Sequence, residues 1–344
     1  MLFGIHGEMI AIENQYYSVN RILLLICGLW PYENTKFRYV RVVFLDGILI
    51  SFLIYQLIIL FGREYNFKLV LKIGSDMLPI ALCTMKFNAF LFNSRKVRRI
   101  SDQINEDWNT LKGSEEIKIA KKYGKFMRRL TIILFLYTLS SLFIVMLGYI
   151  PMIVESAAFN KFLLGKDNNI SETYLDKKGY IFFFITAFVA AFVVVTTITM
   201  ILAYMRHICL MYKIACYRIE NSFNEHILHM PIFQKEKIIC RRLISAVNIH
   251  RKAIQFAEYT LNTFKKFYFV MIGVGVLSLA VSLLHTLQAI LILDNINELM
   301  ITVFYVILHF MFFFTGNYGG QMVTDHSADI ATALLQVCQY LTSW

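Results

Sequence analysis

The stretch FYFVMIGVGVLSLAVSLLHTLQAILIL, residues 267–293, carries no charged side chain. It exceeds the ~20 apolar residues needed to cross a hydrocarbon core of ~30 Å, so it reads as a membrane-spanning helix. A second apolar run follows at 299–317, and the intervening residues from Asp294 to Glu298 leave room only for a hairpin. Upstream, Leu243, Val247, His250, Ile254, Ala257, Leu261 and Phe264 alternate in steps of four and three, which predicts one helical seam running directly into the span. The fold is therefore organised by long helices that cross a bilayer and project beyond it.

Composition agrees. Hydrophobic residues make up 58% of the chain and charged residues only 17%, with a mean hydropathy of +0.57. That leaves too little polar surface to cover a soluble globule of 344 residues. The net charge of +11 reads as basic loops beside an anionic lipid leaflet, not as a nucleic-acid surface. Four further spans are expected at about 42–61, 68–92, 130–154 and 180–204, making six in an all-α polytopic membrane protein. The run 22–30 is too short to span, so it reads as an interfacial segment with Trp30 at headgroup depth.

Orientation follows from the basic residues. Arg95, Lys96, Arg98 and Arg99 open a loop rich in Lys and Arg that ends at Arg128 and Arg129, and a second basic segment covers 206–266. The intervening loops offer only Arg63 on one side and Lys161, Lys166, Lys177 and Lys178 on the other. Because Lys and Arg are retained on the cytoplasmic side, the N-terminus is expected inside. The sequon at Asn169, Asn-Ile-Ser, then faces outward as an expected glycosylation site. The segment 206–266 lacks glycine and contains one proline, Pro231, which predicts two long helices extending spans into the cytoplasm. The tail 318–344 repeats the pattern, with Ile330, Leu334, Val337 and Leu341 expected on one face packing against the same bundle.

No enzyme chemistry is legible. The chain has no Gly-rich phosphate loop, no Gly-x-Ser-x-Gly and no His-Glu-x-x-His. His226 and His229 read as a solvated pair and not as a metal site, and His250 reads as a packed histidine on its seam. Neither cofactor nor metal is expected, and the six cysteines show no paired spacing. Charges inside spans draw attention: Asp46, Lys86, and the pair Lys72 and Asp76, which stand four apart and are expected to neutralise each other or to border a polar vestibule.

Several blocks resemble insect odorant receptors of the hymenopteran tuning-receptor type: Gly28-Leu-Trp30-Pro31, Asp107-Trp108, and Ala246 through His250 and Phe256 to Tyr259, together with Tyr318, Gly319 and the ending 333–344. The resemblance covers nearly all of the chain as one membrane domain, 1–344. It implies a ligand-binding subunit of an odorant-gated cation channel in the plasma membrane of an olfactory neuron. It also implies assembly with a co-receptor in a hetero-tetramer through the cytoplasmic bundle. The partners implied are a small volatile odorant, the co-receptor and membrane lipid, with no nucleic acid. The ligand pocket implied lies in the outer halves of the second, third, fourth and sixth spans. By depth that places it at Met77 and Ile80, at Phe143, Met146 and Ile150, at Phe183 and Ala187, and at Tyr305 and His309. The family has a seventh helix lining the ion path, so the chain ending at Trp344 is expected to be short by one span, as in an incomplete gene model. A gustatory receptor of the same fold is the nearest alternative. A six-helix transport protein is another, although no pair of spans shows the matched Gly/Pro interruption of a midplane site.

Overall fold

The computed structural model describes residues 17–62, 66–111, 113–163, 177–223, 231–292 and 296–342. Within them the chain forms eight α-helices: α1 Ser18–Ile26, α2 Lys36–Gly62, α3 Phe67–Phe92, α4 Ser94–Asn109, α5 Ser114–Leu163, α6 Lys177–Glu220, α7 Ile232–Ile292 and α8 Ile296–Thr342. One 3-10 turn, Asn221–Phe223, closes α6, and no strand occurs among the described residues. α7, with 61 residues, is ~90 Å long at 1.5 Å per residue. It is about three times the thickness of a bilayer core, so most of it must lie outside. Its Lys and Arg residues, Lys235, Lys237, Arg241, Arg242, Arg251, Lys252, Lys265 and Lys266, all fall in the N-terminal part, ahead of the uncharged run.

Five helices are long and apolar enough to span a membrane: α2, α5, α6, α7 and α8. The helix at the expected second span, α3, is long enough but carries Lys68, Lys72, Asp76 and Lys86. It tolerates them because it is an inner helix packed against α2, α6 and α7, and Asp76 and Lys86 are buried. α6 is the hub of the bundle, touching α1, α2, α3, α5, α7 and α8. Its apolar window is 44% buried, against 17–22% for the other four spans. Hydroxyls on α6 bond back to the preceding turn, Thr196 to Phe192 O at 2.7 Å and Thr199 to Val195 O at 2.8 Å. These threonine hydroxyls therefore lie inside the bundle with their donors met by the helix's own carbonyls.

α1 ends in a left-handed glycine. Gly28 adopts φ 68°, its N–H bonds to Leu25 O at 3.1 Å, and Leu29 N–H reaches Leu24 O at 2.8 Å. This paired closure satisfies the last carbonyls of the helix. It turns the chain so that Trp30 enters the core, 8% exposed, beside Tyr32. Trp30 therefore faces the protein core and not the lipid, because the turn at Gly28 directs it inward.

Beyond the spans, polar ties join the inner ends of the helices. Asp107 on α4 meets His207 on α6 at 3.1 Å and Lys252 on α7 at 3.9 Å. Glu116 on α5 takes both arms of Arg218 on α6, at 2.6 and 2.9 Å, and Arg218 also donates to Ser245 on α7. Tyr123 on α5 pairs with His326 on α8 at 2.7 Å. Arg206 lies over the Tyr123 and Phe126 rings at 4.5 and 4.2 Å. The quoted dipeptide Asp107-Trp108 thus has a physical role, as the point where α4, α6 and α7 are tied together.

Two helical faces differ from expectation. On α7 the buried line is Ala246, Ile249, Ala253, Phe256, Thr263 and Phe264, while Val247 and Leu261 are 61% and 67% exposed. The alanines let the neighbouring helices approach closely, so the small residues face inward and the larger Val247, Ile254 and Leu261 face out. On α8 the inner line is Met322, His326, Ile330, Ala333 and Val337, and Leu334 points away. His226, His229 and Asn169 lie outside the described residues.

Candidate functional site

The outer ends of α3, α7 and α8 meet, since α3 begins and α7 ends on the side away from the basic helical extensions. Polar residues from all three helices converge there. Lys72 on α3 reaches Glu298 on α8 at 3.8 Å. His285 on α7 reaches the same carboxylate at 3.3 Å through Nε2, and its Nδ1 lies 3.0 Å from the Ser75 hydroxyl. Asp76 is buried one turn from Lys72. The pair expected within α3 is thus extended across the bundle to Glu298. An ion inside a span must be neutralised by a partner, and here the partner comes from another helix.

Deeper along the same face of α7, the Ser278 hydroxyl lies 2.7 Å from His309 Nε2 on α8. His309 Nδ1 lies 2.7 Å from the Tyr305 carbonyl, which can only accept, so in the neutral ring Nε2 accepts from Ser278. Between these two contacts along α7 stands Ser282, 1% exposed, whose hydroxyl has no hydrogen-bond partner. An unmade hydrogen bond at a buried hydroxyl costs ~1–3 kcal/mol, so this position is one where a bound polar group gains by arriving.

Among the sequence-expected site residues, Ile80 and Phe183 are buried in the main apolar core and Tyr305 packs on it. Phe183 lies 5.9 Å from the ring of Phe52. Met77 and Ala187 are half-buried, and His309 is buried. Ile80, Phe183 and Tyr305 all belong to the main apolar core, which runs the length of the bundle, and His309 bonds to the backbone carbonyl of Tyr305. Phe143 and Met146 are 60% and 48% exposed on the outside of α5. The side chain of Ile150 lies outside the described residues. Ser278, Ser282, His285 and Glu298 escaped the sequence reading. The signal of the first three was polar residues at steps of four and three within an uncharged run, the spacing of one helical face.

Two clefts lie at the opposite end of the bundle from this cluster. One, of about 290 Å³, lies between Asp107, His207, Arg218, Arg241 and Lys252. The other, of about 450 Å³, lies between Arg38, Tyr39, Leu91, Arg95 and Arg98. Among the described residues no group of three or more His, Cys, Asp or Glu side chains is placed to hold a metal ion.

Long apolar helices, charges paired inside the bundle and a tied helical extension at one end define a multi-pass membrane protein. The family model described as 7tm odorant receptor matches residues 72–341. The chain belongs to that family and is an odorant receptor, not an enzyme. Its fold is similar to that of the insect olfactory receptor OR5 from Machilis hrabei, with a TM-score of 0.66 at 13% identity, over 98% of this chain and 88% of that one. The same receptor in complex with eugenol gives a TM-score of 0.64 at 12% identity, over 94% of this chain and 90% of that one. A search of curated proteins gave no match.

Proposed function

We propose that the whole of 1–344 acts as the odorant-binding, tuning subunit of an odorant-gated, non-selective cation channel, assembled with a co-receptor in the plasma membrane of an olfactory sensory neuron. The observation that carries the ligand half of this reading is the interior at α3, α6 and α8. There the apolar Ile80, Phe183 and Tyr305 share a core, and Tyr305 leads directly to the polar His309–Ser278 pair. A small volatile has few polar handles. It is held by apolar burial at ~25 cal/mol per Å², with one or two hydrogen bonds setting its orientation. The unpartnered Ser282 hydroxyl on the same face offers one such handle. The bound eugenol of the structurally similar OR5, an aromatic molecule of this kind, supports the reading. Met77 and Ala187 complete the proposed lining. Phe143 and Met146, which face outward in a single protomer, enter it less directly.

The experiment is co-expression with an odorant co-receptor and a panel of volatiles scored as evoked current. Tyr305→Ala is expected to reorder the ranking of the panel while surface labelling stays near wild type. An unchanged ranking at normal surface level removes Tyr305 from the site. Absence of current from every volatile, with both subunits at the surface, counts against the tuning-subunit reading itself.

A further inference from the structure

The cleft bounded by Arg38, Arg95 and Arg98 lies at the opposite end of the bundle from the proposed odorant lining, and its position gives it a chemistry of its own. Arg38 and Tyr39 stand at the start of α2, and Arg95 and Arg98 in the first turns of α4, just past the end of α3 at Phe92. The apolar Val42 and Leu91 form its membrane-side wall. Phe37 and Phe92, 77% and 74% exposed, flank this level, the depth at which aromatic side chains mark a membrane surface. Three guanidinium groups thus line one cleft of about 450 Å³, with no carboxylate among its lining residues.

The nearby acids are already engaged. Glu33 takes Arg41, at 2.5 and 2.6 Å, and Asp102 accepts from the Tyr32 hydroxyl at 2.5 Å. Arg38 is held by the carbonyls of Gly28 and Glu33, at 3.0 and 3.1 Å, and Arg98 lies over the Tyr32 ring at 5.1 Å. None of Arg38, Arg95 and Arg98 has an ion-pair partner among the described residues. Guanidinium groups without a counter-ion, two of them held in place by neighbouring groups, suit a phosphate oxygen, which they bind through paired N–H donors.

We infer that this cleft holds the phosphate headgroup of an anionic phospholipid of the cytoplasmic leaflet. A lipid fits better than a soluble anion because the walls change character with depth. Arginines lie at the headgroup level, and Val42 and Leu91 continue into the exposed apolar surface of α2 at Val43 and Phe44, where acyl chains lie. The leaflet assignment rests on the N-inside orientation, whereas binding itself does not.

The test uses the purified full-length chain in a neutral detergent, with bound lipid counted by native mass spectrometry. Phosphatidylserine and phosphatidylinositol 4,5-bisphosphate are compared with phosphatidylcholine. Retention of the anionic lipids about tenfold above phosphatidylcholine is expected, with a loss of about fivefold per arginine in R95A and R98A, whose side chains are exposed. A photoactivatable phosphatidylserine added to the unaltered chain provides a second measurement that needs no variant, with adducts expected on peptides containing residues 31–42 and 91–98. Equal retention of phosphatidylcholine, unchanged binding by the R95A/R98A chain, or adducts confined to other segments overturns the inference. So does tail-free inositol trisphosphate binding as tightly as the lipid, because the site would then be one for a soluble anion. Detergent has no sidedness, so a reversed topology would leave these binding results standing and would be read separately by tag accessibility.

Discussion

At Gly28 a single backbone angle decides where the N-terminal segment packs. A Cβ added there would stand 2.9 Å from Val42 Cγ2 and 3.2 Å from the Arg38 carbonyl, at φ +68°. The substitution thus combines a left-handed strain of ~1–3 kcal/mol with a clash against the Val42 side chain and a tight approach to the Arg38 carbonyl. Gly28→Ala is expected to lower the thermal midpoint of the purified receptor measurably and to loosen Trp30. A melt identical to wild type would mean that the turn relaxes without cost. Arg218 is a second such residue, because both its arms hold Glu116 on α5 while it also donates to Ser245 on α7. Arg218→Ala removes the bidentate partner of that part-buried carboxylate, at a cost of about 3 kcal/mol. It should reduce the folded, monodisperse fraction in size-exclusion chromatography far more than Lys118→Ala does, whose pair with Glu115 is exposed and screened by solvent. The Gly28 and Asp107 motifs were legible in the sequence as motifs, but their roles were not. A sequence shows that a glycine follows a helix, and only the packed chain shows that Val42 fills the space where its side chain would go.

Among the elements, α3 and α7 show what periodicity reveals and what it hides. The uncharged run of α7 and the apolar run of α8 identify themselves by length alone. The span expected at 68–92 is the helix α3 despite its charged positions, but what makes those charges tolerable was not legible, because neutralisation by Glu298 and the stacking of Lys86 over Phe312 at 3.8 Å are long-range facts. On the projecting part of α7 the sequence placed the seam through the larger residues, Val247, Ile254 and Leu261, whereas close packing selected Ala246 and Ala253. A pattern of apolar residues fixes a face only to within about one residue when two adjacent lines are both apolar. This gives a contrast between neighbours. Ala253, wholly buried, should not accept a larger side chain, and Ala253→Leu is expected to destabilise by ~1–3 kcal/mol through overpacking. Val247→Ala should be nearly neutral in an isolated protomer. Thermal melts of both variants check the pair, and the reverse order would restore the seam predicted from sequence.

For the molecule as a whole, two kinds of exposed apolar surface differ in what covers them. On α2, α5, α7 and α8 the apolar windows are mostly unburied, and lipid covers them at no cost. Ile244, Val247 and Ile254 are different: they are exposed on the α7 extension, among Arg241, Arg242, Arg251 and Lys252, which would not enter hydrocarbon. In the N-inside arrangement this stripe faces the cytoplasm, so a protein surface is what remains to cover it. That agrees with the proposed assembly through the inner bundle, and it separates folding from association experimentally. Tags placed near residue 110 should be labelled only after the cells are permeabilised; labelling on intact cells would reverse the orientation. Given that orientation, Val247→Glu with Ile254→Glu should leave the protomer's own melt near wild type, because both side chains point away from the core. The same pair of changes should cut co-purification with the co-receptor by at least tenfold, since two carboxylates would be buried unpaired at the contact. Full co-purification with normal evoked current would show that the stripe is not the assembly surface, and the subunit contact would then have to be sought on another face of the bundle.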